Sequence, residues 1–238
     1  MNPESTVGQL VVERPARARV FEKFGIDYCC GGKKPLASAC QAKGLDTAEV
    51  LSALEAADGA SAPAGDWSRA TLTELTEHIE STHHAYMKTE LPRLDRITER
   101  VATVHGARHP ELAEVRATFV ALKTEMEMHM HKEEGVLFPL CREVEFASAP
   151  VTSPCGSIGN PIRMMIKEHE SAGEGLATIR RLTADYTPPE GACNTYRAML
   201  SGLAEMEADM HQHVHKENNI LFPRALKRES QLAGEVHG

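Results

Sequence analysis

The chain has 238 residues, 42% hydrophobic and 25% charged, with a formal net charge of −8; this suits one medium domain, or a core domain with a small appendage, around a real apolar core. The acidic balance excludes the basic footprint of a general nucleic-acid binder, and no apolar run reaches the ~20 residues of a membrane span. The opening MNPESTVGQL lacks the basic and apolar stretches of a secretory signal, so a cytoplasmic protein is expected, its six cysteines free thiols.

Residues 1–57 read as a small helical domain. Pro15 and Pro35 fit first-turn positions, Gly25 and Gly44 fit helix stops, and Asp46 with Glu49 resembles a capping box. This unit carries IDYCCGGKKPL. Adjacent Cys29 and Cys30 have neither thioredoxin nor zinc-knuckle spacing. Gly31 and Gly32 allow a tight turn, and Lys33, Lys34 and a helix start after it predict a lowered thiol pKa; the alternative is two ordinary buried thiols. The Pro/Gly-bearing DGASAPAGD predicts a linker over 58–67.

Residues 68–230 predict four long helices, at about 70–104 with a kink or break at Pro92, about 110–145, about 161–186 and about 192–230. The loop FASAPVTSPCGSIGNP separates the second from the third. The fold class is all-α, an antiparallel four-helix bundle with the small N-terminal domain beside it.

HMHKEEGVLFP at 129–139 returns as HVHKENNILFP at 213–223, an offset of 84. The polar residues persist: His129 and His213, His131 and His215, Lys132 and Lys216, Glu133 and Glu217. His84 and His169 are 85 apart and precede the His-x-x-x-Glu pairs by 45 and 44 positions. Each half is therefore a helix hairpin with one His on its first helix and His-x-x-x-Glu on its second. Residues four apart share a helix face, ~6 Å apart along the axis. Leu122, Met126, Val136 and Leu140 turn the first pair inward; Leu203, Met206, Met210 and Ile220 turn the second. Burying such groups is costly unless something satisfies them. His84, His129, Glu133, His169, His213 and Glu217 exceed what one tetrahedral zinc can use. They suit two ions, each with two His and both Glu bridging, iron ahead of manganese.

His131 and His215 are expected on a solvated face, and His211 with His215 forms a lower-ranked pair. Leu72, Leu75 and Ile79 favour His83 over His84, whereas Met87, Leu91 and Leu94 favour His84. Glu125, Asp209 and Glu168 are possible orienting partners for the imidazoles, with surface charge as the default.

DYCCGG in a short helical unit, followed by HAYMKTELP, KEEGVLFP, KEHESAGE and KENNILFP, resembles the repair-of-iron-centres family of di-iron, hemerythrin-like bacterial proteins. The resemblance covers nearly the whole chain. It implies two non-haem iron ions on the six residues, with an oxo or hydroxo bridge, and repair of iron–sulfur clusters damaged by nitric oxide or peroxide. Damaged iron–sulfur proteins would be its partners and nitric oxide its small ligand, with Cys29 and Cys30 as redox or transfer thiols in a monomer or homodimer. Two other classes stay open: a cytoplasmic nitric oxide-binding protein, and an enzyme reducing nitric oxide at the paired irons. Two departures stand out. The loop from Pro150 to Pro161 is longer than the family pattern and adds Cys155, and H-x-x-x-E replaces the H-x-x-x-x-D of oxygen carriers.

Overall fold

The computed structural model describes residues 1–58 and 67–234. Residues 59–66 of the expected linker lie outside the described residues. Among the described residues there is no strand, only an isolated bridge between Thr6 and Pro35, and no helix is long and apolar enough to cross a membrane. The fold is all-α.

The first four helices are short: α1 Val7–Glu13, α2 Ala18–Phe24, α3 Leu36–Lys43 and α4 Thr47–Asp58. Thr6 caps α1 by accepting from the Gln9 N–H at 3.3 Å, which satisfies one of the helix's unpaired first-turn donors. Gly25 (φ 63°) and Gly44 (φ 66°) end α2 and α3 in the left-handed conformation that glycine adopts without steric cost. Pro15 opens a short 3-10 turn before α2, and Pro35 immediately precedes α3.

Four longer helical runs follow. α5 (72–105) comprises Leu72–His78, a π turn Ile79–His84, and Ala85–His105. α6 (111–146) comprises Glu111–Lys132, a π turn Glu133–Leu137, and Phe138–Phe146. α7 is Gly159–Leu182. α8 (194–234) comprises Asn194–Lys216, a π turn Glu217–Leu221, and Phe222–Gly234.

The chain sorts into two compact units. Among the described residues the first combines 1–58, 67–76, 140–160 and 211–234. Its α1–α4 core holds Leu10, Phe21, Tyr28, Leu36 and Leu54. Arg17 ties it together, donating to both carboxylate oxygens of Asp58 (2.9 and 2.7 Å) and to the Leu10 carbonyl (3.0 Å). In the same unit Glu145 accepts from the N–H groups of Leu72 and Thr73 that open α5.

The second unit, 77–139 and 161–210, contains parts of all four long helices around one core. Met87 and Leu94 come from α5, Phe119 and Leu122 from α6, Leu176 and Ile179 from α7, Met199 and Leu203 from α8. Burying each such side chain contributes ~1.5–3 kcal/mol. Polar pairs run in opposite order along neighbours: Lys88–Glu134 and Asp95–Arg116, Lys132–Glu168 and Glu114–Arg181, His83–Asp209 and His105–Cys193. The helices are therefore antiparallel.

Two expectations on helix limits need correction. The helix continues through Pro92; the irregularity is the π turn upstream. α7 stops at Leu182 rather than 186, because Ala184, Asp185 and Tyr186 turn left-handed (φ 47°, 56°, 56°). The Asp185 N–H closes the helix end on the Arg180 carbonyl at 2.9 Å.

Candidate metal centre

The π turns decide which side chains face inward. Phe138 N–H bonds the Glu133 carbonyl and Phe222 N–H the Glu217 carbonyl, one residue beyond α-helical spacing. Each turn precedes a proline, Pro139 or Pro223, which has no N–H to continue the α ladder. The extra residue shifts the inward face. Val136, expected inside, is 44% exposed, and Leu137 takes its place at 1%. The first π turn resolves the contest between His83 and His84 in the same way. It inserts a residue between the two apolar stripes, so both rings are buried, at 2% and 0%.

In the second unit His84, His129, Glu133 and His169 come together, all buried. Glu133 Oε2 lies 3.3 Å from His84 Nε2, and its Oε1 lies 3.3 Å from His129 Nε2. His129 Nε2 is 3.1 Å from His169 Nε2. The far nitrogens are engaged too. His84 Nδ1 donates to Glu134 (2.7 Å), which Lys88 clamps at 2.6 and 2.8 Å. His129 Nδ1 donates to Glu168 (2.9 Å), which Lys132 clamps. Burial works to raise Glu134 and Glu168, but hydrogen bonds from lysine and histidine outweigh it and hold both below the usual carboxylate range. An anionic carboxylate keeps the proton on Nδ1 and leaves the Nε2 lone pair facing the cluster.

These residues fit a metal ion. Metal–nitrogen bonds of ~2.1 Å put ligand atoms ~3.0–3.4 Å apart for right-angled to tetrahedral arrangements, which spans the spacings found. Two buried imidazole nitrogens at 3.1 Å also need a proton or a cation between them.

The other two residues lie in the first unit. His213 Nε2 is 3.0 Å from Glu217 Oε1, both fully buried. Sequence reasoning placed His215 in solvent, but it is only 5% exposed. Tyr28 covers it, ring to ring at 5.4 Å, and burial pushes its pKa down to about 4. His131 is exposed as expected.

The orienting partners also differ from expectation. Glu168 serves His129 rather than its neighbour His169, Asp209 serves His83 (2.8 Å) rather than His213, and Glu125 accepts from Ser171. Glu134 was missed. The available signal was a lysine about one helical turn beyond two of the candidate histidines, Lys88 after His84 and Lys132 after His129.

The Cys-Cys loop rests on the same π turn that begins with Glu217. The Asn219 side-chain amide donates to the Cys29 carbonyl at 3.2 Å. A Cβ at Gly32 would meet Asn219 Oδ1 at 2.4 Å and the Tyr28 carbonyl at 2.7 Å, so only glycine lets the loop approach this closely. Asp27 accepts from the N–H groups of Cys29, Cys30 and Gly31 and from the Cys29 thiol. The expected lowering of a thiol pKa is overturned at Cys29. The Cys30 thiol, burial and Asp27 push it well above its ordinary value. Its charged neighbour is an aspartate, not Lys33 or Lys34. Cys29 is buried and Cys30 half-buried, with no disulfide between them.

The 146–161 loop is fastened to α8, where Glu229 accepts from Ser157 Oγ and Ile158 N, each at 2.7 Å. Cys155 is half-buried there.

Residues 76–225 match the hemerythrin HHE cation binding domain, and residues 3–58 match ScdA_N, a domain of unknown function (DUF542). The chain is 35% identical over 224 residues to the iron-sulfur cluster repair protein YtfE of Yersinia pseudotuberculosis serotype IB (strain PB1/+), covering 94% of this chain and 97% of that protein. The YtfE proteins of Yersinia pestis (strain Pestoides F) and Yersinia pestis bv. Antiqua (strain Angola) give the same identity and coverage. A likeness of that extent, carried by both modules, makes this chain a member of the YtfE family of hemerythrin-type proteins.

Proposed function

We propose that this protein repairs iron–sulfur clusters damaged by nitric oxide or peroxide, in the cytoplasm, from a centre of two non-haem irons. Each ion takes two of the four histidines His84, His129, His169 and His213, and Glu133 and Glu217 serve both. The observation that carries this reading is the Glu133 carboxylate, whose two oxygens each face a different imidazole Nε2 at 3.3 Å. A single ion would not need a carboxylate spread between two histidines. The relatives named for iron–sulfur cluster repair support the function. Damaged iron–sulfur proteins are the partners of this reading and nitric oxide its small ligand, in a monomer or homodimer.

The helical domain 1–57 and the bundle 68–230, joined by 58–67, are the two modules of this reading. Cys29 and Cys30 are its transfer or redox thiols, seated beside the Glu217 turn. Cys29 is held protonated at rest, so a partner would have to disturb its contact with Asp27 before it reacts.

The test is anaerobic purification, iron quantification and Mössbauer spectroscopy, with repair of a nitrosylated cluster enzyme as the functional readout. The expected result is two coupled irons per chain. The Cys29→Ser/Cys30→Ser double variant should keep both irons and bind nitric oxide while its repair rate falls. Full repair by that variant would reduce the cysteines to packing. Nitrous oxide accumulating over many turnovers with a reductant would identify an enzyme instead.

A further inference from the structure

Cys193 opens α8: its carbonyl accepts from the Arg197 N–H at 3.0 Å, and the helix proper starts at Asn194. Its thiol is exposed, whereas the other five cysteines are buried or half-buried. His105, the last residue of α5, places Nε2 3.2 Å from Cys193 Sγ. The rings of His105 and His109 both pack on Tyr196, at 5.4 and 5.7 Å, which holds the first imidazole in place. His109 is turned away to Glu111 (3.0 Å), and the Arg197 guanidinium donates to the Ala192 carbonyl (3.2 Å). The ionisable groups these contacts bring to this corner are His105, His109, Glu111, Tyr196 and Arg197. None belongs to the metal centre.

We propose that Cys193 and His105 form a nucleophile–base pair that exchanges with low-molecular-weight disulfides, giving the bundle a thiolation site separate from Cys29 and Cys30. Sγ of Cys193 attacks one sulfur of R–S–S–R while His105 Nε2 takes the thiol proton. The Sγ–S bond forms as the S–S bond breaks. The released RS⁻ collects the proton from His105 and leaves as RSH, so Cys193 is oxidised to a mixed disulfide and one R–S group is reduced. Both helix ends favour this charge separation. The N–H end of α8 favours negative charge on sulfur, and the carbonyl end of α5 favours an imidazolium. Cys29 offers the reverse setting, buried beside a carboxylate.

The experiment treats intact, iron-loaded protein with an aromatic disulfide (dithiobis-nitrobenzoate) for kinetics and with glutathione disulfide for mass mapping. The expected result is one fast-reacting thiol per chain, located at Cys193. It disappears in Cys193→Ser and persists in Cys29→Ser/Cys30→Ser. His105→Gln should slow the fast phase at least ~10-fold at pH 7. The two rates should converge in strongly alkaline solution, where no base is needed. A fast phase surviving in Cys193→Ser overturns the site, and equal rates at pH 7 overturn the role of His105.

Discussion

Each of two candidate ligand histidines is oriented by a carboxylate that a lysine holds, His84 by Glu134 with Lys88 and His129 by Glu168 with Lys132. Replacing the carboxylate with an amide keeps the shape and removes the charge that fixes the Nδ1 proton. Glu134→Gln should therefore retain the fold and speed iron loss to a chelator, ~10-fold or more. An unchanged rate would mean that Glu134 serves only Lys88. The ligands themselves should behave differently. Glu133→Ala and His84→Ala should each lose at least one iron per chain by elemental analysis. His131→Ala and His83→Ala should keep both, since His131 is exposed and His83 Nδ1 is bound to Asp209. A full complement in His84→Ala, with loss in His83→Ala, reverses the assignment.

At the scale of the element, the π turn in α6 carries one residue more than α-helical spacing, with Val136, 44% exposed, at its outer side. Deleting Val136 restores α-helical spacing and leaves Leu137, Phe138, Cys141 and Val144, all buried, on their inward face. The expected denaturation midpoint is close to that of the parent. Deleting Val120, 39% exposed in the regular part of α6, has no extra residue to absorb it and rotates Leu122, Met126 and His129 off the core by ~100°. The expected cost is on the order of 3 kcal/mol or more, read as a lower midpoint. Equal midpoints for the two deletions would show that the π turn does not hold the extra residue.

For the molecule as a whole, each unit contains a carboxylate held below its ordinary pKa. Hydrogen bonding from Arg17 is the main cause at Asp58 in the first unit, and from Lys123 then Arg116 at Asp95 in the second. A group depressed in the folded state contributes stability that is present above its unfolded value of ~3.9 and lost as pH falls through its folded value. Asp58→Asn and Asp95→Asn should therefore lower Tm at pH 7, each by on the order of 1 kcal/mol in stability for partly exposed pairs. The difference from the parent should shrink as the pH drops below ~4. A pH-independent difference would assign the loss to packing.

The duplicated His-x-x-x-Glu and its two single-histidine partners made the six candidate ligands legible without coordinates, because a repeat that keeps polar residues on an apolar stripe has a chemical rather than a packing cause. The helical class and the glycine stops at Gly25 and Gly44 were legible too, since helix periodicity and left-handed caps are local properties. The outward position of Val136 in the α6 π turn was not, although Leu140 and Ile220 are buried as expected. A single-residue insertion depends on how the chain accommodates Pro139 and Pro223 within a packed helix, and α-helical counting misplaces Val136. The partners of the imidazoles were equally hidden, because Glu134 and Glu168 reach them across neighbouring helices. His215 and Cys29 were misjudged for one shared reason. Each takes its burial from a segment nearly 190 positions away in sequence, the Tyr28 loop over His215 and the Asn219 turn under Cys29, and only tertiary packing sets the environment that fixes their charge.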